Sequence, residues 1–286
     1  MNTIEIANLS FAYQGAAEPA IRDIGVSIAA GEILGFLGPS GAGKSTTQKV
    51  MIGVLKGYRG SVAILGTEVT ALNQKFYERI GVAFETPNLY NRFTARENLK
   101  FFASLYSSRT RDVDELLDAV ELRDDADTRV QAFSKGMKTR LNLCRALINR
   151  PEIVFLDEPT SGLDPVNARN VKNLILEASS AGTTVFLTTH NMHLADEVCD
   201  RVAFMVDGSI RAIDTPKRLK RVNKSREVRV SYTTAVGEAH RLFPIEGLGS
   251  NAAFLELLRT EHVTAIHSDE ASLEDVFVRV TGRQLQ

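Results

Sequence analysis

One nine-residue stretch limits this chain more than any other. Gly38, Pro39, Ser40, Gly41, Ala42, Gly43, Lys44, Ser45 and Thr46 stand between an apolar run at 33–37 and a segment of helical character at 47–52. Strand, glycine-rich turn and helix start follow one another. Glycines let the backbone curl so that successive N–H groups point into one concavity, and a helix N-terminus adds partial positive charge. Lys44 offers a point charge to the outer phosphates of a triphosphate, and the Ser45 hydroxyl is placed to ligate Mg2+. The stretch reads as a nucleoside triphosphate site.

With 286 residues the chain has room for one large domain and one small one. Its net charge of -1 gives no support to a nucleic-acid partner. Cys144 and Cys199 sit in apolar helical patterns and read as reduced core residues of an intracellular protein. No apolar run approaches the roughly 18 residues that span a bilayer. The N-terminus lacks the basic-then-apolar form of a signal peptide, so the chain is expected to be made and kept in the cytosol.

Ile4, Ile6 and Leu9 open a strand that continues to Tyr13, and 20–28 reads as a second. Beyond the glycine loop, Val50, Met51, Val54 and Leu55 fall at helical spacing, and 61–65 and 79–84 read as short strands. The pattern then changes. Thr94 and Glu97 form a capping box ahead of Leu99, Phe102, Leu105 and Tyr106, and Val113, Leu116, Leu117 and Val120 repeat the helical spacing. A third helix runs from about 135 to 149, so residues from about 88 to 149 are a helical insertion in an α/β chain. The α/β rhythm returns with the apolar strand 153–156, a helix at 166–178 and the strand 184–188, with His190 at its end. Asp207 and Gly208 join two further strands in a hairpin. From Lys217 to Arg229 there are seven basic residues and one acid, which read as a solvated linker or as a contact for anionic lipid headgroups. Strands at 227–232, 239–244 and 262–268, with helices at 252–260 and after Ser272, complete a small α+β domain. His193, His240, His262 and His267 show no ligand-like grouping.

The discriminating chemistry lies downstream of the glycine loop. The strand 153–156 delivers Asp157 and Glu158 at its carboxyl end, where α/β sheets place ligands. Asp157 can hold Mg2+ through a water, and Glu158 is placed to polarise or deprotonate an attacking water. Phe133, Ser134, Lys135, Gly136 and Met137 open the third helix, where a hydroxyl, a bare backbone and a helix N-terminus suit a second anion contact. Ser161, Gly162, Leu163 and Asp164 follow, and then His190. This order of motifs, over residues 2 to about 215, resembles the ATP-binding cassette (ABC) family.

The resemblance implies an α/β fold: a P-loop NTPase domain of the ABC ATPase type over 1–215, with a helical subdomain at about 88–149 and an antiparallel β subdomain. A basic linker at 216–226 and the small C-terminal α+β domain at 227–286 would follow. It implies ATP and Mg2+ as ligands. Tyr13 matches the aromatic that stacks on adenine, and Glu85 stands where the family usually has a glutamine that senses Mg2+ and γ-phosphate. Ser134 and Gly136 match the signature residues that touch the γ-phosphate bound by the opposite subunit. Asp164 matches the loop that crosses the dimer interface, and His190 the γ-phosphate contact. Lys44, Glu158 and His190 would then carry hydrolysis, and Ser45, Asp157 and Glu85 would hold the metal.

Two positions depart from the family pattern. Glu85 keeps an oxygen ligand but adds a negative charge, which favours the metal and disfavours the triphosphate. The signature here is Phe133-Ser134-Lys135-Gly136-Met137, so Lys135 would add a cation beside the expected γ-phosphate. Neither removes the candidate base or the switch histidine, and active hydrolysis is expected.

Partners follow from the same resemblance: a second copy closing head to tail, and a membrane-spanning permease that holds the chain at the cytoplasmic face of the membrane. The signature and the ending Ser272–Arg283 look like the daunorubicin-resistance and sodium-export branch, whose permeases are of the ABC-2 type. The expected function is the ATP-hydrolysing subunit of an exporter; the alternative is a soluble ABC ATPase acting on ribosomes or DNA. Of Tyr90, Phe93, Phe101, Phe102 and Tyr106, most are expected inside the helical subdomain, with one or two lining a permease groove beside Glu85.

Overall fold

A computed structural model describes residues 2–222, 227–234, 237–268 and 271–283. The chain divides into two compact units, one reaching to Pro216 and one spanning Lys217–Arg283. The larger holds β1 (Asn2–Phe11), β2 (Ile21–Ala29), β3 (Ile33–Leu37), β4 (Arg59–Ile64), β5 (Thr67–Glu68), β6 (Ile80–Ala83), β7 (Ile153–Asp157), β8 (Thr184–Thr189), β9 (Arg201–Val206) and β10 (Ser209–Asp214).

Two sheets organise it. One is antiparallel, in the order β2-β1-β4-β5. The other runs β10-β9-β3-β8-β7-β6 and is parallel except where β10 turns back on β9. Ile4, Ile6, Leu9 and Phe11 alternate along β1 toward the core, as the period-two pattern requires. They pack with Ile21, Ile24 and Ile28 of β2 and with Val50 and Met51 of the helix Lys44–Met51. β3, β7 and β8 are buried along their whole length, so Phe36, Phe155 and Phe186 stack in the sheet interior with ring centroids 4.8–6.0 Å apart. Their carboxyl ends lie side by side, because Asp157 pairs with Thr188 and Leu37 with Thr189. That register sets the site.

The insertion between β6 and β7 is helical, with helices Ala95–Ala103, Val113–Ala119 and Lys135–Leu147. Thr94 and Glu97 form the complete capping box, each bonding the other's backbone N–H. In the smaller unit β11 (Glu227–Thr234) is central to an antiparallel sheet with β12 (Gly237–Pro244) and β13 (His262–Ser268). Phe254 and Leu257 of the helix Ala252–Thr260 close its core over Val228, Val230 and Phe243.

Two sequence expectations need correction, and one helix was not foreseen. The first strand ends at Phe11, not Tyr13. A short helix, Gln74–Tyr77, capped by Asn73 Oδ1 accepting from the Lys75 N–H at 3.0 Å, went unread. The described part of the expected 216–226 linker is a helix, Pro216–Val222; Pro216 stands at its first position, and lysine, arginine and leucine favour helix. Residues 223–226 lie outside the described ones. Cys144 and Cys199 are buried and free. Among the described residues no helix is long and apolar enough to cross a membrane.

Candidate nucleotide-binding site

β3 delivers the chain into the glycine loop, and Gly43 caps the helix that follows with φ 102°. A Cβ at Gly43 would sit 2.6 Å from the Ala20 carbonyl oxygen, so glycine is required there on both counts. Lys44 is buried, and its Nζ donates to the carbonyls of Gly38 at 2.7 Å and Pro39 at 2.9 Å. Burial pulls its pKa below the usual lysine range, against the opposing charges of Glu158, Asp157 and Glu85. Three carboxylates thus act on one ammonium.

Asp157 Oδ1 accepts from Ser45 Oγ at 3.0 Å and from the Thr188 hydroxyl. The next residue, Glu158, adopts φ 50°, a left-handed conformation that is uncommon outside glycine. It is held there by its N–H bonding Thr188 O at 2.9 Å. Its carboxylate is fixed from two sides. Oε2 accepts from Thr189 Oγ1 at 2.9 Å, while Oε1 accepts from the His190 N–H at 2.9 Å and meets the His190 ring Nδ1 at 2.7 Å. Glu158 is 8% exposed, whereas the His190 ring is largely open to solvent. A carboxylate so oriented can take a proton from water at a defined point. Backbone strain of this kind gathers at functional sites.

These groups share one cavity of about 400 Å³, lined by Tyr13, the loop residues Ser40–Thr46, Glu85, Asp157, Glu158 and His190. Tyr13, exposed, exchanges a 3.1 Å hydrogen bond with Thr46 Oγ1 and meets Phe11 edge-on. The residues present fit a Mg-nucleotide. Gly41 leaves open space beside the loop, and Ser45 with Asp157 gives the hydroxyl and single carboxylate that a Mg2+ shared with phosphate oxygens takes.

Other candidate residues lie elsewhere on the chain. Ser134 caps the helix Lys135–Leu147, its Oγ accepting from Met137 N at 3.2 Å, and Asp164 caps the helix Pro165–Ser180. The Lys135 stem lies against Gly162, and its Nζ donates to Ser161 Oγ at 3.4 Å, so within one chain this cation faces its own downstream loop. Beside Glu85 a second hollow of about 360 Å³ is lined by Ser45, Lys49, Phe84, Glu85, Thr86, Asn88 and Asp157. The aromatic group departs from expectation. Tyr90 and Phe93 are exposed and Phe101 and Phe102 half-buried, and these four rings form an open patch instead of filling the helical subdomain; Tyr106 is half-buried. Sequence reasoning missed Asn142, Arg145 and Asn149, which bind the backbone leading to Glu85. Their signal was a polar stripe at helical spacing inside an otherwise apolar face.

The family model for ABC transporters matches residues 21–161. A fluoroquinolones export ATP-binding protein of Mycobacterium tuberculosis is 54% identical over 283 residues, covering 99% of this chain and 94% of that one. The chain belongs to the ABC transporter family. A second family model, the fluoroquinolone efflux ABC transporter C-terminal domain, matches residues 226–270 of this ABC ATP-binding subunit. The Nod factor export ATP-binding protein I of Rhizobium meliloti is 34% identical, covering 99% of this chain and 89% of its own. Among solved structures, an ATP-binding subunit of an ABC transporter superposes with a TM-score of 0.70 at 28% identity, covering 77% of this chain and 92% of the other. A dimeric post-hydrolysis ATP-binding cassette bound to ADP and Pi gives 0.67 at 25% identity, covering 74% and 98%. The subunit binds and hydrolyses ATP.

Proposed function

We propose that two copies of this subunit close head to tail, with Mg-ATP between the glycine loop of one and Ser134 and Gly136 of the other, and that hydrolysis drives drug export. The carrying observation is the Glu158 carboxylate, fixed by Thr189 and His190 at the mouth of the Lys44 cavity. Ser45, Asp157 and Glu85 would hold Mg2+, which when bound would offset the negative charge of the phosphates. Glu158 orients the attacking water and accepts its proton, and His190 keeps that carboxylate in place. Tyr13 stacks on the base. The placing of Ser134, Gly136 and Asp164 away from the cavity lining supports completion by a second copy.

The working partner in this reading is a separate membrane-spanning permease of the ABC-2 type. It seats on the aromatic patch beside Glu85 and holds the subunit at the cytoplasmic face. Fluoroquinolones are the substrate class best supported, since the identity to a fluoroquinolones exporter extends through the C-terminal unit. Cells expressing the chain with its membrane partner should accumulate less of a fluoroquinolone than cells carrying Glu158→Gln. That variant should lose about 100-fold or more in hydrolysis while still binding ATP. Equal drug accumulation in both strains overturns the export reading, and unchanged hydrolysis removes Glu158 from its role.

A further inference from the structure

β6 is the outer strand of the parallel sheet on its side, next to β7 alone. Every second carbonyl of an edge strand points away from the sheet and needs a partner when buried. Here the partners come from the helix Lys135–Leu147 and the turn that ends it. Asn149 Nδ2 donates to Ile80 O at 2.9 Å, Arg145 NH2 to Val82 O at 3.0 Å, and Asn142 Nδ2 to Phe84 O at 2.8 Å. The spacing explains the match. Three or four residues of helix advance about 5 Å, close to the roughly 6.7 Å of two strand residues, so one polar side chain per turn meets one carbonyl per pleat. Helix and strand approach backbone to backbone, since a Cβ at Gly81 would lie 1.7 Å from the Ala146 carbonyl oxygen.

Arg145 does more than fill a place in this series. Its other terminal nitrogen, NH1, donates to Asn88 O at 2.8 Å, so a single planar guanidinium ties Val82 to Asn88 across the turn that contains Glu85. On its far side it lies over the Phe102 ring, 5.1 Å from the centroid, and Phe102 stacks with Tyr90 and Phe101 of the exposed patch. The helix that carries Arg145 begins at Ser134, the signature residue.

We propose that Arg145 is a positioning residue for Glu85, a clamp that holds the 82–88 turn with the Glu85 carboxylate toward the metal side of the nucleotide cavity and links that carboxylate to the aromatic patch. The proposal rests on the metal-holding role given to Glu85 above. Amide hydrogen exchange and the Mg2+ dependence of hydrolysis test it together in the purified full chain. Arg145→Gln should raise exchange within 82–88 while leaving β3 and β8 unchanged. It should also raise the Mg2+ concentration for half-maximal hydrolysis by about fivefold, the loss of charge-assisted hydrogen bonds expressed through one ligand. Glu85→Gln should raise the Mg2+ requirement likewise, the double variant should add nothing further, and Arg145→Lys should fall between. A purely structural role would instead spread exchange over the sheet and leave the Mg2+ requirement alone. A shift in Glu85→Gln with none in Arg145→Gln overturns the clamp and spares the site reading. No shift in Glu85→Gln overturns both. Should Arg145→Gln not fold, Phe102→Leu, which removes only the stacking ring, must move the Mg2+ requirement in the same direction by about twofold; if it does not, the clamp fails.

Discussion

Gly43 shows how a single position can decide binding. Its φ of 102° and the 2.6 Å between a notional Cβ and Ala20 O leave Gly43→Ala no relaxed conformation. The loop must open, and the N–H groups that would meet phosphate turn away with it. Gly43→Ala should weaken ATP binding by about 100-fold or more and also lower the melting temperature, since the two defects together amount to several kcal/mol. Fluorescent ATP titration with a melting curve checks this, and near-normal binding would show that the loop tolerates a side chain. Gly38–Thr46 was legible in the sequence because its chemistry is local: the motif contains its own donors, charge and turn. The bond between Glu158 and His190 was not. It depends on β7 lying beside β8, and strand order is a property of the assembled sheet. Arg145 was less legible still, because its acceptors are backbone carbonyls, and a carbonyl carries no residue identity.

Elements here are tied at their ends by carboxylates, and that gives the chain an acid limit. Burial pushes Glu68 up, but the Val62 N–H at 3.0 Å and the Ser61 and Tyr58 hydroxyls, each at 2.8 Å, hold it below the ordinary carboxylate range. The Ser272 hydroxyl and N–H do the same for Asp275 at the start of the helix Leu273–Thr281, and the Arg79 guanidinium for Glu152. Each group is more acidic folded than unfolded, so its contribution is complete above the unfolded value of about 4 and disappears as pH falls through the folded one. The urea midpoint should therefore be flat from pH 7 to about 5 and decline steadily below pH 4; a midpoint unchanged at pH 3 would show that these contacts do not stabilise the fold. The helices of the insertion were readable from periodicity and caps. The helix Pro216–Val222 was not, because a short run of basic residues with few apolar ones reads equally as a solvated linker.

For the whole molecule, the arrangement of motifs has a kinetic consequence. With Ser134 and Gly136 outside the cavity lining of their own chain, ATP hydrolysis per chain should rise with protein concentration and then level off. A high specific activity, constant down to concentrations where the protein is monomeric by light scattering, would refute the shared site. The sequence reading put a large domain at 1–215, a linker at 216–226 and a small domain at 227–286; the compact units reach to Pro216 and span Lys217–Arg283, each with its own apolar set. The two cysteines lead to something different. Cys144 and Cys199 are sealed in the interior, and burial pushes both thiols up, Cys144 to about 12, so neither forms a reactive thiolate at neutral pH. A thiol-directed dye has nothing to attack until the chain opens. The native cysteines are therefore a built-in clock for opening, and they leave a silent background against which one engineered surface cysteine can report the meeting of two copies.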